Sequence, residues 1–248
     1  MEERKVSFKS VVGSQNYNLA TPKSDVDELH FAYPSLDDIY RGKFVKKVET
    51  SNDRDYAVHD VRMLANYLCK GNPNMLETLF SVSTGINDSL FSELYSIRHR
   101  IATMNLPAFN RACRGMFKQQ QLKAGKALFR PKADLAEVGK HIAAAMRIAD
   151  LVIRFHSLGF KNYEEALRYE EGTYDHNILI GLKLGKGMDL HALNDYYNGL
   201  EEYEHSLNAV RDYYDLFQLD TDTQQNVQNT VRRYVEEHLR KELEKGML

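Results

Sequence analysis

Four residues near the amino terminus have the types and spacing needed for chemistry on a nucleotide. Gly13 and Ser14 end an apolar stretch, and Asp25 and Asp27 follow with a single residue between them. On a strand, two carboxylates at this spacing point to the same side of the sheet, where they bind a hard cation such as Mg²⁺. A glycine lets the backbone approach a ligand closely, and free amides beside it attract phosphate. The set predicts a phosphate cradle next to a paired-carboxylate metal site, as nucleotidyl transfer requires.

Short strands must hold these residues in place. Val6–Val12 reads as a strand that stops at Gly13, and Val26–Tyr33 reads as a second strand that carries Asp27. A third short strand is predicted over Asp55–His59. The second and third of these strands would carry the candidate acidic residues Asp27 and Asp55.

After His59 the sequence has the period of helices. Val61, Leu64, Ala65 and Leu68 form an apolar stripe that ends at Gly71. Further helical patterns cover residues 87–104, 107–128, 133–157, 163–170, 189–217 and 222–245. The segment 171–186 fits either a buried helical turn or a short strand. We therefore expect an α+β protein, with a small mixed β-sheet head over residues 1–100 and a larger mainly α-helical body over 101–248.

Composition limits the classes of partner. The 248 residues are 43% hydrophobic and carry a net charge of −2, so no general attraction to nucleic acid or anionic membrane is expected. Cys69 and Cys113 are far apart and match no metal-binding spacing, which indicates reduced thiols. The sequence shows neither a signal peptide nor an apolar run of membrane-spanning length. These features predict a soluble protein of the cytoplasm.

The stretch from Gly13 to Asp27, GSQNYNLATPKSDVD, resembles the signature of the DNA polymerase β-like nucleotidyltransferase superfamily. That signature is a strand, a Gly-Ser pair, a gap and then Asp-x-Asp on the next strand. The stretch is most similar to stand-alone nucleotidyltransferases of bacteria and their phages. Asn18 stands where those proteins usually have glycine, and asparagine is the next best residue for a left-handed backbone.

Three later segments extend the resemblance beyond this signature. They are His59–Arg62 leading into Gly71–Glu77, Gly115–Leu122, and the Lys140-His141 pair with Arg147. The resemblance implies transfer of a nucleoside monophosphate from an NTP to an acceptor, with release of pyrophosphate. It also implies Mg²⁺ or Mn²⁺ as the cofactor.

Active members of the superfamily place a third carboxylate on a later strand, and Asp55 is the candidate here. Asp53 and Asp60 are alternatives. The similar proteins often carry another acid two residues further on, where this chain has Ala57. His59 would share a strand face with Asp55, so it contacts either the site or only the core.

The helix over 133–157 supplies candidate phosphate ligands. Lys140 and Arg147 are seven residues apart, two turns along one face, with the small Ala144 between them. Two cations over a small residue suit phosphates, and the resemblance favours nucleotide binding by Lys140, His141 and Arg147. A second group of basic residues fits either RNA phosphates or a solvated face: Arg98, His99, Arg100, Arg111 and Arg114.

The acceptor is left open between an RNA end, a protein hydroxyl and a small molecule, and the oligomeric state is not predicted. Two rival functions are a nucleotide-binding protein without turnover and an antitoxin-like regulatory protein. A fused ribonuclease toxin would use an Arg-x(4)-His pattern, which Arg233 and His238 match. In a helix rich in charged residues this match is expected by chance.

Overall fold

The computed structural model describes residues 4–22, 24–50, 54–185 and 187–246. These residues form two compact units. The first contains the described residues up to Asn16, those of Asp25–Asn105 and those from Leu219 onward, and the second contains Tyr17–Ser24 and Leu106–Gln218. A domain is a part of the chain that folds independently. The predicted division into domains 1–100 and 101–248 therefore remains a prediction.

Five strands of the described chain form one mixed sheet in the first unit. They are β1 (Val6–Val12), β2 (Val26–Ala32), β3 (Lys46–Thr50), β4 (Arg54–Asp60) and β5 (Thr84–Gly85). Their order in the sheet is β3-β4-β2-β1-β5. β2 and β4 are parallel, whereas the pairs β1–β2, β3–β4 and β1–β5 are antiparallel.

The described helices follow one another along the rest of the chain. They are α1 (Leu36–Tyr40), α2 (Val61–Cys69), α3 (Pro73–Leu76), α4 (Ser89–Ser96), α5 (Arg98–Thr103), α6 (Leu106–Leu128), α7 (Leu135–Ser157), α8 (Tyr163–Leu167), α9 (Tyr174–Leu184), α10 (Leu190–Asp215) and α11 (Thr221–Gly246). With 63% of the described residues helical, the predicted α+β class with a small mixed sheet is confirmed. The ambiguous segment 171–186 contains the helix α9. No helix among the described residues is long and apolar enough to cross a membrane.

The core of the first unit forms on one face of the sheet. Phe8 of β1 is fully buried and stacks on Phe31 of β2, with ring centroids 4.5 Å apart, and it also contacts Phe91 of α4 at 4.8 Å. Burial of such aromatic rings stabilises a fold by several kcal/mol in total, at roughly 1.5–3 kcal/mol for each side chain. It fixes the register of β1 and β2, because a slip by one residue would turn these rings to the other face.

Two strands were absent from the sequence-based prediction, for physical reasons. β3, with the sequence KKVET, lies at the edge of the sheet, where the side chains are largely exposed, so it lacks an apolar alternation. β5 has only two residues and is defined by its pairing with β1. Neither carries a local sequence signal.

In the second unit, α7 packs against α6, α8, α9 and α10. Gly139 of α7 lets α9 approach closely, since a Cβ there would lie 2.1 Å from the carbonyl oxygen of Leu182. The segment Tyr17–Ser24 belongs to this unit. Tyr17 is 7% exposed and packs under the guanidinium of Arg147, whose carbon lies 3.9 Å from the ring centroid. The Tyr169 amide donates to the carbonyl oxygen of Tyr17 at 3.1 Å.

Candidate active site

Strand register brings the three candidate carboxylates together. Asp27 of β2 is the direct neighbour of Asp55 on the parallel strand β4, and Asp25 lies two residues earlier on the side of the sheet that Asp27 faces. Each side chain contributes an oxygen to a group whose members all lie within 4.8 Å of one another. Two segments that are distant in sequence thus converge at the amino-terminal ends of the parallel strands β2 and β4.

The chemistry of this cluster fits a divalent cation. Oδ1 of Asp55 is buried and has no hydrogen-bond partner among the described residues. A buried carboxylate oxygen without a donor is costly, and close like charges add repulsion. A hard cation removes both costs, since Mg²⁺ and Mn²⁺ prefer oxygen ligands. Asp25 is exposed, so a metal–nucleotide complex can reach the cluster from solvent.

Gly13 contacts the same cluster from β1. Its φ is +70°, a left-handed conformation that favours glycine. A Cβ at this position would lie 2.8 Å from Oδ2 of Asp27. The register explains the proximity, because Val12 pairs with Asp27. Both the backbone angle and the space therefore require glycine where the chain turns beside the carboxylates.

A buried carboxylate holds the turn that follows Gly13. Glu77 is 3% exposed, and its Oε2 accepts from the backbone amide of Gly13 at 3.4 Å. The side-chain amide of Asn16 donates to the carbonyl oxygen of Glu77 at 3.3 Å, while its Oδ1 accepts from the amide of Val82 at 3.0 Å. Ser14 is half-buried in this turn. The bracing role of Asn16 was not predicted, because nothing in the sequence near Asn16 indicates its partners.

Ala57 and His59 lie on the same face of β4 as Asp55, as their even spacing predicts. His59 is half-buried, and burial lowers the pKa of its imidazole, with a further lowering from the charge of Lys46. The ring is therefore neutral at pH 7. Its centroid lies 6.1 Å from that of Phe31. His59 thus belongs to the face of the sheet that carries the carboxylates.

Asp60, an alternative third carboxylate, is already fully engaged in structure. It caps α2 by accepting from the Arg62 amide at 2.9 Å and pairs with the Arg62 guanidinium at 2.7 Å. It also accepts from the amide of Val45 at 3.1 Å and is fully buried. The other alternative, Asp53, lies outside the described residues. Asp55 is the acid that the structure brings to Asp25 and Asp27.

The predicted phosphate ligands of α7 belong to the second unit. Lys140 is exposed. Nδ1 of His141 is 2.8 Å from Oε1 of Gln120, and burial, with nearby cations, lowers the pKa of this histidine. Arg147 packs on Tyr17. The assignment of all three residues to nucleotide binding remains a prediction.

Other basic residues singled out by the sequence have structural partners. Arg100 donates to the hydroxyl of Thr223 at 2.8 Å, and Arg114 donates to the carbonyl oxygen of Leu207 at 3.1 Å. Arg233 pairs with Glu93 at 2.5 Å. These contacts account for Arg100, Arg114 and Arg233 as parts of helix packing.

The toxin-like pair also has packing partners within the first unit. Arg233 binds Glu93 of α4, as above, and the ring of His238 stacks on that of Tyr33, with centroids 4.7 Å apart. The two side chains attach α11 to the sheet and to α4. Nothing in this arrangement favours a ribonuclease site.

The comparisons with known proteins give a family match for the amino-terminal part of the chain. Residues 1–120 match the model of a family described as the RNA repair pathway DNA polymerase beta family. Among solved structures, a nucleotidyltransferase-like protein from Exiguobacterium sibiricum matches with 12% identity and a TM-score of 0.37, over 85% of this chain and 72% of that one. No curated protein matches the chain at a significant level. The amino-terminal 120 residues are therefore similar to a polymerase β family, as the Gly-Ser and Asp-x-Asp signature predicts.

Proposed function

We propose that the protein transfers a nucleoside monophosphate from an NTP to a hydroxyl group of an acceptor and releases pyrophosphate. The observation that carries this proposal is the convergence of Asp25, Asp27 and Asp55, with an unpartnered buried oxygen, beside the Gly13 turn. The description of the matching family as an RNA repair family supports RNA among the three acceptor classes.

Each residue of the cluster has a proposed role. Asp25, Asp27 and Asp55 hold the divalent cation, which when bound neutralises charge on the triphosphate and lowers the barrier to in-line attack. Asp55 accepts the proton of the attacking hydroxyl while the hydroxyl oxygen forms a bond to the α-phosphorus. The bond from the α-phosphorus to the bridging oxygen breaks, and its electron pair leaves with pyrophosphate.

The Gly13 turn is proposed to hold the departing phosphates. Because the amide of Gly13 is directed to Glu77, the hydroxyl of Ser14 and the amides that follow are the donors left for the β- and γ-phosphates. Lys140, His141 and Arg147 of the second unit are proposed as further nucleotide ligands, on the basis of their charge and of the family resemblance.

The test is a label-transfer assay with each α-labelled NTP, Mg²⁺ or Mn²⁺, and an extract that contains RNA and protein. Label on an acceptor is expected with the wild type and not with an Asp25→Ala/Asp27→Ala double variant. Glu28→Gln is the matched control, since Glu28 follows Asp27 on the opposite face and pairs with His30 at 2.8 Å. Equal labelling by the wild type and the double variant would show that the proposed site is wrong.

One observation favours a second candidate, a nucleotide-binding protein without turnover. Ala57 lies on the carboxylate face where the similar proteins often have another acid. This candidate predicts binding of NTP with Mg²⁺ and no transfer to any acceptor. Equilibrium binding of a fluorescent NTP, measured on the protein used for label transfer, separates the two functions.

A further inference from the structure

The carboxylate face of the sheet continues past the metal cluster toward the edge strand. Residues directly opposite each other on paired strands share a face. Beside the row of Asp27 and Asp55, the next row consists of Leu29, Ala57 and Val48. The row after that runs from the fully buried Phe31 of the core to His59 and, at the edge, Lys46. Successive rows are about 7 Å apart, from the rise of two strand residues. We call Leu29, Val48, Ala57, His59 and Lys46 the shelf.

The shelf is open at its outer end. Val48 is 66% exposed and Lys46 is exposed, while Leu29, Ala57 and His59 are half-buried. In the loop that enters β3, Phe44 is 54% exposed, and its ring packs against the Arg62 guanidinium, whose carbon lies 4.4 Å from the ring centroid. Val48 is thus an apolar side chain exposed on an edge strand, between the charged residues Lys47 and Glu49.

The two faces of β3 and β4 differ in charge. On the opposite face, Lys47 pairs with Glu49, the hydroxyl of Tyr56 donates to the same glutamate, and Glu28 pairs with His30. That face is a closed set of opposite charges. On the shelf, Lys46 has no ion-pair partner among the described residues.

The carboxylate face of β2, β3 and β4 has no acid other than Asp27 and Asp55 at its described strand positions. The face therefore combines an apolar strip and a neutral imidazole with an unneutralised cation. This composition complements a chain that has flat apolar groups and regularly placed negative charges.

Single-stranded nucleic acid has that chemistry. Its bases stack on aromatic and apolar side chains, and its phosphates bind cations. A protein acceptor has no regular negative charge for Lys46, and a small-molecule acceptor does not span two rows beyond the carboxylates. Arg100 and Arg114 are engaged within their own units.

From this geometry we infer that the shelf binds the single-stranded end of an RNA acceptor, whose terminal hydroxyl is thereby led to Asp55. The inference rests on the proposed function and names its acceptor. The base next to the end lies on Val48 and Ala57, and the following phosphate lies at Lys46. Ala57 suits this arrangement, because a carboxylate at position 57 would repel the phosphates of the acceptor.

The experiment measures binding of a fluorescently labelled single-stranded RNA to the full chain by anisotropy, with Mg²⁺ and a non-hydrolysable NTP present. Lys46→Glu is expected to weaken RNA binding at least about tenfold and to reduce the slope of log affinity against log salt by about 1. Lys47→Glu is the matched control, one residue along and on the opposite face. It should change the affinity by less than about threefold, since general charge effects act equally on both variants.

A second variant, at another shelf residue, makes the test independent of Lys46. Val48→Asp places a negative charge on the shelf at a largely exposed position, so folding is retained and RNA binding should fall. Equal losses in Lys46→Glu and Lys47→Glu would overturn the inference. It would also be overturned if the wild type bound NTP and transferred label to protein or to a small molecule without binding RNA.

Failure of the proposed function has a different signature. Binding of the fluorescent NTP is measured on the same samples, and neither shelf variant should change it by more than about twofold. RNA binding without any NTP binding by the wild type would contradict nucleotidyl transfer and, with it, the acceptor role. Single-stranded DNA of the same sequence gives the third arm, and binding of DNA as tight as that of RNA would overturn the assignment to RNA.

Discussion

The carboxylate cluster of the first unit and two side chains of α7 in the second unit, Arg147 and Asp150, differ in how their polar groups are satisfied. In the cluster, three acids meet and an oxygen of Asp55 lacks a partner. Along α7, Arg147 packs on Tyr17, and Oδ2 of Asp150 accepts from the hydroxyl of Tyr169 at 2.9 Å. Satisfied groups hold a fold together, whereas an unsatisfied acid among acids is typical of a site for a ligand. The following predictions test this contrast.

The largest effect is expected from Asp55→Asn. This change keeps the shape of the side chain but removes a charge and the proposed base, so label transfer should fall about 10²–10⁴-fold. Without metal, the melting temperature should rise, because repulsion within the cluster is relieved. Calorimetry and the transfer assay measure both. Full activity of the variant would show that Asp55 is not part of the catalytic site. A lower melting temperature would show that the acid stabilises the fold.

Gly13→Ala tests the junction between the turn and the cluster. A Cβ in this left-handed conformation meets Oδ2 of Asp27 at 2.8 Å. We expect about 1–3 kcal/mol of lost stability and a loss of transfer of roughly a hundredfold, about 2.7 kcal/mol of transition-state stabilisation. Gly42→Ala is the control, since Gly42 has a φ of +61° with no atom within 4 Å of the added Cβ. Equal effects on transfer would mean that the contact with Asp27 is unimportant.

Asp150 should contribute to the pH dependence of stability in the opposite sense to an ordinary paired acid. Burial raises its pKa to about 6, against a partial lowering by the Tyr169 hydroxyl. Because the folded pKa lies above the unfolded value near 3.8, stability is lost as the pH rises from about 4 to 6, by on the order of 2–3 kcal/mol. Asp150→Asn should flatten this part of a denaturation-against-pH profile. The exposed Asp215→Asn is the control, and identical profiles for the two variants would contradict the prediction.

The smallest effect concerns the two cations of α7. Arg147→Ala removes the guanidinium from the face of Tyr17 and should cost about 0.5–2 kcal/mol of unfolding free energy. Lys140→Ala, at an exposed position, should leave the midpoint of urea denaturation unchanged. If both residues also bind nucleotide, both variants raise the KM for NTP. Equal stability of the two variants would show that the contact with Tyr17 contributes nothing.

The sequence predicted the strands and the acids that matter most, because their signals are local. A strand, a glycine and an Asp-x-Asp pattern are each readable within a few residues, and β1 and β2 were correctly expected. Asp55 was harder to assign, since its position next to Asp27 depends on parallel pairing of strands that are distant in sequence.

What escaped prediction depends on contacts rather than on pattern. Lys46 and Val48 are positioned by the edge strand β3, yet its sequence lacks the alternation of apolar and polar residues that marks a strand. Asn16 and Glu77 meet across a long sequence separation. The seven-residue spacing of Lys140 and Arg147 correctly puts both on α7, but spacing alone does not reveal that Arg147 packs on Tyr17.

Because Tyr17–Ser24 belongs to the second unit, truncation of the gene separates this segment from its partners. An open reading frame that stops after residue 105 would keep this segment but lack Arg147 and Tyr169, its partners. It would also lack α11, which packs on α2 and α4 of the first unit. Neither unit is a continuous stretch of the chain. A smaller folded version is therefore better sought by shortening the loops between α6 and α10 than by deleting residues from either end.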